Sequence, residues 1–353
     1  MNGKDYPVQE VQSFSPWSEV SPPRRMLLIR LHALGDVAVT LPAARALRER
    51  YPEAQIDFLT LQENAPLLRA IGLFDRVLDF PPTSSPVGRL ARAVRTGARV
   101  RARKYDVIVD LQRNRVSRII RRSALPAAWG EFDRFSPRPA SERVLETFLK
   151  IGFHRLSPRF SSSLPAPLQE ESLNLLDSHG HDRRKKLVVL NPAGLWETRN
   201  WPLEDYVSLA NLWRQQEPVQ FVLLGTEKIR EKSSYLRARL GSGVIDLVGQ
   251  TRIEIAFALL HRASAVITED SGLMHMAWCQ GIPIVALFGS SRHVWSAPTG
   301  LRARTLDSGD LPCGQCMEPV CTFGDVHCLT RHTPQRVLEI AKELTTCTAA
   351  VLK

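Results

Sequence analysis

The spacing of hydrophobic and polar positions predicts short buried strands that alternate with longer helices. The first unit is the apolar run 26–31, followed by the loop Leu34-Gly35-Asp36 and a helical pattern over 37–50. Further strands are predicted at 56–60, 77–80 and 106–111, with a basic helix over 87–103. Strands separated by helices of ten or more residues favour a parallel sheet covered on both faces.

A second series of the same kind follows a stretch rich in Ser, Pro and charged residues at 157–186. It predicts strands at 187–190, 219–224, 244–248, 265–268 and 284–288, and helices over 203–216, 253–262 and 273–280. The predicted fold class is therefore α/β, with two Rossmann-like doubly wound domains that face a cleft.

The same pattern sets the domain boundaries. We expect a polar N-terminal arm (1–25), a first domain (26–165), a linker (166–186), a second domain (187–333) and a C-terminal helix (334–353) that crosses back to the first domain.

Composition narrows the class of protein. The chain has 353 residues, of which 44% are hydrophobic and 24% charged, which excludes a disordered, collagenous or multi-span membrane protein. Residues 1–25 lack the apolar segment of a secretory signal, so we expect a cytoplasmic protein. The net charge of +11 predicts attraction to polyanions such as nucleic acid, anionic membrane or phosphorylated substrates.

Asp36 is the first candidate for chemistry, because it stands between the first strand and the first helix at the edge that faces the cleft. One interpretation is a helix cap that satisfies free amide groups. The other is a carboxylate that accepts a proton from a substrate hydroxyl. Gly35 permits a tight turn or a close backbone approach beside it.

The loop after the first strand of the second domain is the second candidate site. Gly194, the Thr198 hydroxyl and the Arg199 guanidinium could together hold a diphosphate, since the arginine fork pairs two oxygens at once. The alternative is that Arg199 is a solvated loop charge.

The third candidate site is the segment 268–275, where a buried strand ends and a helix begins. Backbone amides at such a helix start bind anions, and a glycine lets the anion come close. The donor-binding candidates here are Asp270, Ser271, Gly272 and His275, although a lone helical histidine is more often structural.

These segments together resemble glycosyltransferase family 9, the ADP-heptose:lipopolysaccharide heptosyltransferases, which have the two-domain GT-B fold. The similar segments run in family order and are 30–42, 105–112, 191–194 with 198–202, and 270–275 through 281–289.

The resemblance implies an inverting transfer of heptose from ADP-heptose to a hydroxyl of the lipopolysaccharide inner core. It places Asp36 at the catalytic-base position and Asp270 in the donor-binding segment, and Arg199 would stabilise the departing ADP. No catalytic metal is expected. The expected partners are the nucleotide sugar, an anionic glycolipid acceptor and the inner-membrane surface, with no specific nucleic acid.

The sequence departs from the family pattern at two places. Arg199 stands where lysine is common, and a histidine that many relatives carry near Arg143 is absent, which bears on acceptor choice. A ribose-binding acid is expected after the strand that ends near Gly225; Glu227 is our choice, with Glu231 as the neighbouring alternative.

Four cysteines lie within sixteen residues, and their role stays open at this point. They are Cys313, Cys316, Cys321 and Cys328. A structural zinc, reduced packing cysteines and disulfides are the three alternatives.

Two arginine-rich stretches, 89–104 and 113–122, also allow two interpretations. They form solvated faces, or they meet phosphates of an anionic glycolipid at a membrane surface. Two other functions remain open for the whole chain: transfer from a different nucleotide sugar, and a basic, zinc-bearing nucleic-acid-binding protein.

Overall fold

The computed structural model describes residues 14–18, 21–82, 85–160 and 163–351, with side chains described as far as residue 346. The first 13 residues of the predicted N-terminal arm therefore lie outside the described residues. Among the described helices, none combines the length and the apolar character needed to cross a bilayer.

The first domain is a six-stranded sheet with helices on both faces. Its strands are β1 (Phe14–Ser15), β2 (Arg25–Ile29), β3 (Gln55–Leu61), β4 (Arg76–Phe80), β5 (Val107–Asp110) and β6 (Ala128–Glu131). Its helices are α1 (Leu34–Arg50), α2 (Ala65–Ala70), α3 (Pro86–Ala102), α4 (Arg115–Ala124) and α5 (Ala140–Ile151). The strand order is β1-β6-β5-β2-β3-β4, and all neighbours are parallel except the edge pair β1 and β6.

A second six-stranded sheet forms the other domain. Its strands are β7 (Lys186–Asn191), β8 (Val219–Leu223), β9 (Val244–Asp246), β10 (Ala265–Glu269), β11 (Ile284–Leu287) and β12 (Ala303–Leu306). The helices from the connection onward are α6 (Ala166–Ser178), α7 (Leu203–Gln216), α8 (Arg230–Leu240), α9 (Ile253–His261), α10 (Gly272–Trp278), α11 (His293–Ser296), α12 (His327–Thr330) and α13 (Pro334–Val351). The order β12-β11-β10-β7-β8-β9 is wholly parallel.

Both sheets reverse their strand order beside the first parallel strand of the domain, between β2 and β5 and between β7 and β10. Ligands of doubly wound sheets bind at this point, beyond the carboxyl ends of the strands. The loops that begin at Arg30 and Asn191 and the start of α10 all lie there, so the α/β fold class predicted from the sequence is confirmed.

The two domains pack together on the side of α1 and α10. One apolar cluster runs from Leu41 of the first domain to Met274 of the second. A guanidinium nitrogen of Arg45 donates to the backbone oxygen of Cys279 at 2.7 Å, and the Phe160 and Trp278 rings meet edge to face at 5.0 Å. These contacts hold the carboxyl edges of the two sheets toward each other.

The C-terminal helix corrects one sequence expectation. The helix α13 packs on α7, β10 and β11 of the second domain rather than crossing back to the first. Its apolar positions, such as Val337 and Leu344, are buried in the second-domain core. An apolar stripe shows that a helix must be covered, but it does not identify the covering element.

The predicted linker and arm also contain ordered structure. Thirteen residues of the linker form α6, which packs against α9. Residues 14–15 of the arm form β1, which extends the first sheet beside β6. The helix contains the short helical stretch that the sequence predicts near 168–176, whereas the two residues of β1 are too few to give a hydrophobic periodicity.

Candidate active site

The starts of α1 and α10 touch across the cleft. A methyl group on Gly35 would lie 3.3 Å from Cα of Gly272 and 2.6 Å from the ring of His275. The two predicted glycines therefore allow the close approach of two helix starts from different domains. Because the amino-terminal end of a helix carries partial positive charge, the junction favours an anion.

Asp36 lies in the first turn of α1 with its two carboxylate oxygens in different situations. Oδ2 accepts from the Ala33 backbone amide at 3.0 Å and meets the Arg30 guanidinium at 2.6 Å. Among the described residues, none donates a hydrogen bond to Oδ1. The carboxylate therefore caps its own helix through one oxygen and keeps the other for a further partner, and its side chain is 41% exposed.

The environment of Asp36 keeps it ionised. Burial works against the charged form, but Arg30, the Ala33 amide and His275 together outweigh it and lower the pKa of Asp36 below its usual range. An ionised carboxylate with a free oxygen is the form that a general base requires.

Two buried arginines enclose an aromatic ring next to Asp36. The guanidinium carbons of Arg30 and Arg143 lie 5.0 and 4.9 Å from the centre of the Phe132 ring. Arg143 also reaches the second domain, where it donates to the backbone oxygen of Trp295 at 3.2 Å. Neither Arg30 nor Phe132 was predicted to belong to the site, and the available sequence signal was an arginine at the end of an otherwise apolar strand.

Gln112 holds the Asp36 loop in place from the neighbouring strand. Its side-chain oxygen accepts from the backbone amides of Leu31 at 2.9 Å and His32 at 3.1 Å. Asp110 shapes the same turn, because its Oδ1 accepts from the backbone amides of Gln112 and Arg113 at 3.1 and 2.9 Å. The loop after β5 therefore positions the loop after β2.

Glu269 organises the second-domain loop and was not identified from the sequence. Its carboxylate is fully buried and accepts from the backbone amides of Gly194 at 2.5 Å and Trp201 at 2.8 Å, and from the Tyr206 hydroxyl at 3.3 Å. Burial raises the pKa of Glu269 to about 7, and the neighbouring Lys232 opposes this shift. The acid ties both ends of the loop 194–201 to the end of β10.

Arg199, Asp270, Ser271 and His275 come together on the second-domain side of the cleft. The Arg199 guanidinium stacks on Trp196 at 4.0 Å and lies 3.7 Å from Oδ2 of Asp270. Ser271 caps α10 through the Met274 amide at 3.1 Å. Burial lowers the pKa of His275, whereas the negative charges of Asp270 and Asp36 act to raise it. The imidazole therefore interacts electrostatically with carboxylates of both domains.

Two predicted donor ligands, Thr198 and Gly194, make contacts within the second domain. The Thr198 hydroxyl is buried and contacts Oγ of Ser290 at 2.9 Å and the backbone oxygen of Glu318 at 2.5 Å. The Gly194 amide is occupied by Glu269, and a methyl group at Gly194 would lie 2.2 Å from the backbone oxygen of Arg199. Both residues therefore shape the loop that carries Arg199, and diphosphate binding by them stays a prediction.

Glu227 lies at the carboxyl edge of the second sheet, in the turn after β8. Its side chain is 68% exposed and pairs with Arg230 at 2.8 Å. Glu231 is also exposed, in the first turn of α8. Ribose binding by Glu227 stays a prediction.

The four clustered cysteines line one cavity of about 90 Å³ next to Thr198 and Ser290. All four are free thiols, and Sγ of Cys313 lies 3.2 Å from Nε2 of His327. Within the described residues, no three His, Cys, Asp or Glu side chains are arranged to hold a metal ion. Within the described residues no disulfide links these four cysteines, which pack behind the Thr198 loop, and a structural zinc stays a prediction.

Asp110 supplies a test of the site's electrostatics, because burial raises its pKa from 3.8 to about 6 and its Oδ2 has no hydrogen bond among the described residues. The native state then binds a proton that the unfolded chain releases between these pH values, so the free energy of unfolding falls as pH rises through this window. Asp110→Asn keeps an oxygen for both backbone amides but cannot titrate. We therefore expect the free energy of unfolding of this variant to decrease by roughly 1–3 kcal/mol less than that of the wild type over the same pH range.

Urea denaturation at several pH values from 4 to 8 measures this effect. The exposed-site variant Glu53→Gln should keep the wild-type pH dependence. An Asp110→Asn protein whose stability falls with pH as steeply as the wild type would contradict the assignment.

Comparison with known proteins agrees with this architecture. Residues 142–327 match glycosyltransferase family 9 (heptosyltransferase). Lipopolysaccharide heptosyltransferase 2 of Salmonella typhimurium is 27% identical over 306 residues, which cover 80% of this chain and 87% of that protein. Lipopolysaccharide heptosyltransferase 1 of Pseudomonas aeruginosa is 25% identical and covers 89% of this chain and 96% of its own.

Solved structures share the fold. A family 9 glycosyltransferase from Veillonella parvula superposes with a TM-score of 0.78 at 20% identity, over 92% of this chain and 97% of that chain. The Escherichia coli ADP-heptose lipopolysaccharide heptosyltransferase II gives a TM-score of 0.72 at 22% identity, over 92% and 99% of the two chains.

Two doubly wound domains packed on a shared side, a fold that the solved heptosyltransferase II also has, give the chain the GT-B architecture. The family match covers more than half of the chain, and the chain belongs to glycosyltransferase family 9.

Proposed function

We propose that the protein transfers a heptose from ADP-heptose to a hydroxyl group of the lipopolysaccharide inner core, with inversion at the anomeric carbon. Its curated relatives, which include lipopolysaccharide heptosyltransferases 1 and 2, support this donor and acceptor. The observation that carries the proposal is the free Oδ1 of the ionised Asp36, which stands where the first domain meets the start of α10.

In the proposed reaction Asp36 accepts the proton of the acceptor hydroxyl. The acceptor oxygen then forms a bond to C1 of the heptose while the bond between C1 and the diphosphate oxygen breaks, and ADP departs with the electron pair. A single displacement inverts the anomeric centre and needs no covalent enzyme intermediate. The Arg30 pair and the Ala33 amide on Oδ2 fix the orientation of the base.

The departing ADP gains negative charge, and Arg199 is the cation that we assign to it. The guanidinium is held by stacking on Trp196 and lies beside Asp270 at the start of α10. A positioned donor is effective because it does not have to reorganise when the charge develops. Ser271, Gly272 and His275 line the same end of the cleft, and this charge stabilisation does not require a catalytic metal.

The acceptor side of the proposal is the first domain. An inner-core acceptor is an anionic glycolipid, and the guanidinium groups of Arg30 and Arg143 place positive charge beside Asp36. Such an acceptor is anchored in a membrane, and we therefore place the enzyme in the cytoplasm at the inner-membrane surface.

Nucleotide calorimetry tests the donor assignment. We expect ADP to bind at least about tenfold more tightly than UDP or GDP, a difference of about 1.4 kcal/mol or more. Glu227→Gln should weaken ADP binding if this acid contacts the ribose. Glu53→Gln, at an exposed position beyond the end of α1 that is remote from the cleft, should not.

Two other results of this calorimetry bear on the proposal. A preference for UDP or GDP would mean that the donor is a different nucleotide sugar, and the assignment as a glycosyltransferase would stand. Equal indifference to all three nucleotides, in protein with a cooperative melting transition, would contradict the donor site itself.

A further inference from the structure

The helix α3 (Pro86–Ala102) has a buried face made of small residues. Ala93, Gly97 and Val100 are buried, and α3 makes its main packing contact with α4. A methyl group on Gly97 would lie 2.7 Å from Cβ of Ser123, so the two helices approach closely. This face of α3 is therefore buried within the first domain.

The larger apolar residues of α3 point away from that contact. Val87, Leu90 and Val94 are 78%, 52% and 53% exposed. Their spacing of three and four residues places them in one row, which the exposed Ala91 and Ala98 continue. A row of apolar side chains at helical spacing on the solvent side is typical of a surface that a partner covers.

Positive charge adjoins this row. Between Phe80 and Tyr105 the chain has seven basic residues and no acidic residue: Arg89, Arg92, Arg95, Arg99, Arg101, Arg103 and Lys104. Arg95 and Arg99 are exposed along one side of the row at 100° per residue. In the part of the chain that the structure describes, no carboxylate lies within 4 Å of either guanidinium.

The second arginine-rich stretch is different. Arg118 and Arg121 both pair with the buried Glu131, at 3.0 and 2.5 Å. Their positive charge is therefore compensated within the domain. The sequence could not separate these internal ion pairs from the free arginines of α3. Arg115 and Arg122 of α4 remain exposed, so the cationic surface is centred on α3 and extends onto its neighbour α4.

We propose that this surface, formed by Val87, Leu90, Val94, Arg95 and Arg99, docks on a bilayer that contains anionic lipids. Apolar side chains that enter the headgroup region beside cations that meet lipid phosphates are the features of an interfacial helix. Two other occupants fit less well. Residues 81–104 contain no aromatic residue on which bases could stack, and a second copy would bring two strongly basic faces together.

The position of α3 connects this surface to the active site. The helix starts after the carboxyl end of β4, and Asp36 follows the carboxyl end of β2 in the same parallel sheet. Docking through the first turns of α3 would therefore bring the cleft edge of the first domain toward the lipid. This inference rests on the proposed function, in which the acceptor is a glycolipid.

Vesicle sedimentation with the full chain tests the proposal. Wild type should bind vesicles of phosphatidylcholine with 30% phosphatidylglycerol and release them as salt is raised, because exposed charges are screened. Leu90→Asp with Val94→Asp, and Arg95→Glu with Arg99→Glu, should each weaken this binding at least tenfold, since each basic residue near an anionic surface contributes about fivefold. The matched controls are Leu301→Asp and Arg237→Glu, exposed positions on the second domain that should bind as wild type does.

Activity assays separate this proposal from the proposed function. With a delipidated, water-soluble acceptor the α3 variants should turn over as wild type does, and with acceptor in vesicles they should be slower. Variants that fold and still bind vesicles as wild type does would overturn the docking surface. Loss of dimers in the α3 variants, without vesicle binding by wild type, would assign the surface to a second copy and also overturn it. Vesicle binding without transfer to any acceptor would instead contradict the proposed function.

Discussion

Asp36→Asn is expected to lower kcat/KM about 10³-fold while ADP still binds with wild-type affinity. Asparagine keeps an oxygen for the Ala33 amide but cannot take a proton from the acceptor hydroxyl, and general-base catalysis typically contributes 10²- to 10⁴-fold. The measurement is the rate of ADP release with saturating acceptor, combined with calorimetry of ADP binding.

The pH dependence supplies a second check on Asp36. Because its environment lowers the pKa of Asp36 below 3.8, the carboxylate is already ionised throughout the neutral range. Loss of activity through protonation of this group should begin only at strongly acidic pH. The matched control is Asp79→Asn, an exposed carboxylate paired with Arg69, which should turn over normally. Wild-type rates for Asp36→Asn and Asp36→Ala would remove the base assignment.

Arg199→Ala is expected to lower kcat about 10²- to 10³-fold, the range for loss of one positioned donor to a developing negative charge. The effect should fall on kcat more than on KM, because the charge on the diphosphate grows as the bond to C1 breaks. Arg199→Lys keeps the charge but loses the fork and the stacking on Trp196, and we expect it to retain activity to within about tenfold.

The control for Arg199 is Arg237→Ala, which removes an exposed guanidinium from α8 of the same domain. It should leave both kinetic constants unchanged. A rise in KM with unchanged kcat for Arg199→Ala would mean that the arginine binds the ground state and does not stabilise the departing ADP.

Several elements could be predicted closely because their signal is local. The helix α7 begins and ends at the predicted residues, and the central strands β2, β7 and β10 agree to within one or two residues. Central strands of a parallel sheet are buried on both faces, so they are continuous apolar runs that stand out in the sequence.

Other elements gave no such signal. The strand β6, Ala-Trp-Gly-Glu, and the edge strand β12, Ala-Arg-Thr-Leu, are four residues long and mix polar with apolar side chains. The helix α4 has six basic or hydroxyl residues among its ten and is buried mainly by contact with α3. Short elements of this kind are ordered by their neighbours and not by their own hydrophobic pattern.

The sequence by itself determined the α/β class, the two sheets, and the loops that reach the cleft, because each of these depends on the local order of strand, turn and helix. Only the tertiary structure decided that Gly35 meets Gly272, that Arg30 and Arg143 enclose Phe132, and that Glu269 takes the Gly194 amide. It also placed α13 on the second domain and left the row on α3 exposed. These contacts join residues far apart in the chain, and the energy of each depends on which elements become neighbours, a choice that the whole packed core makes together.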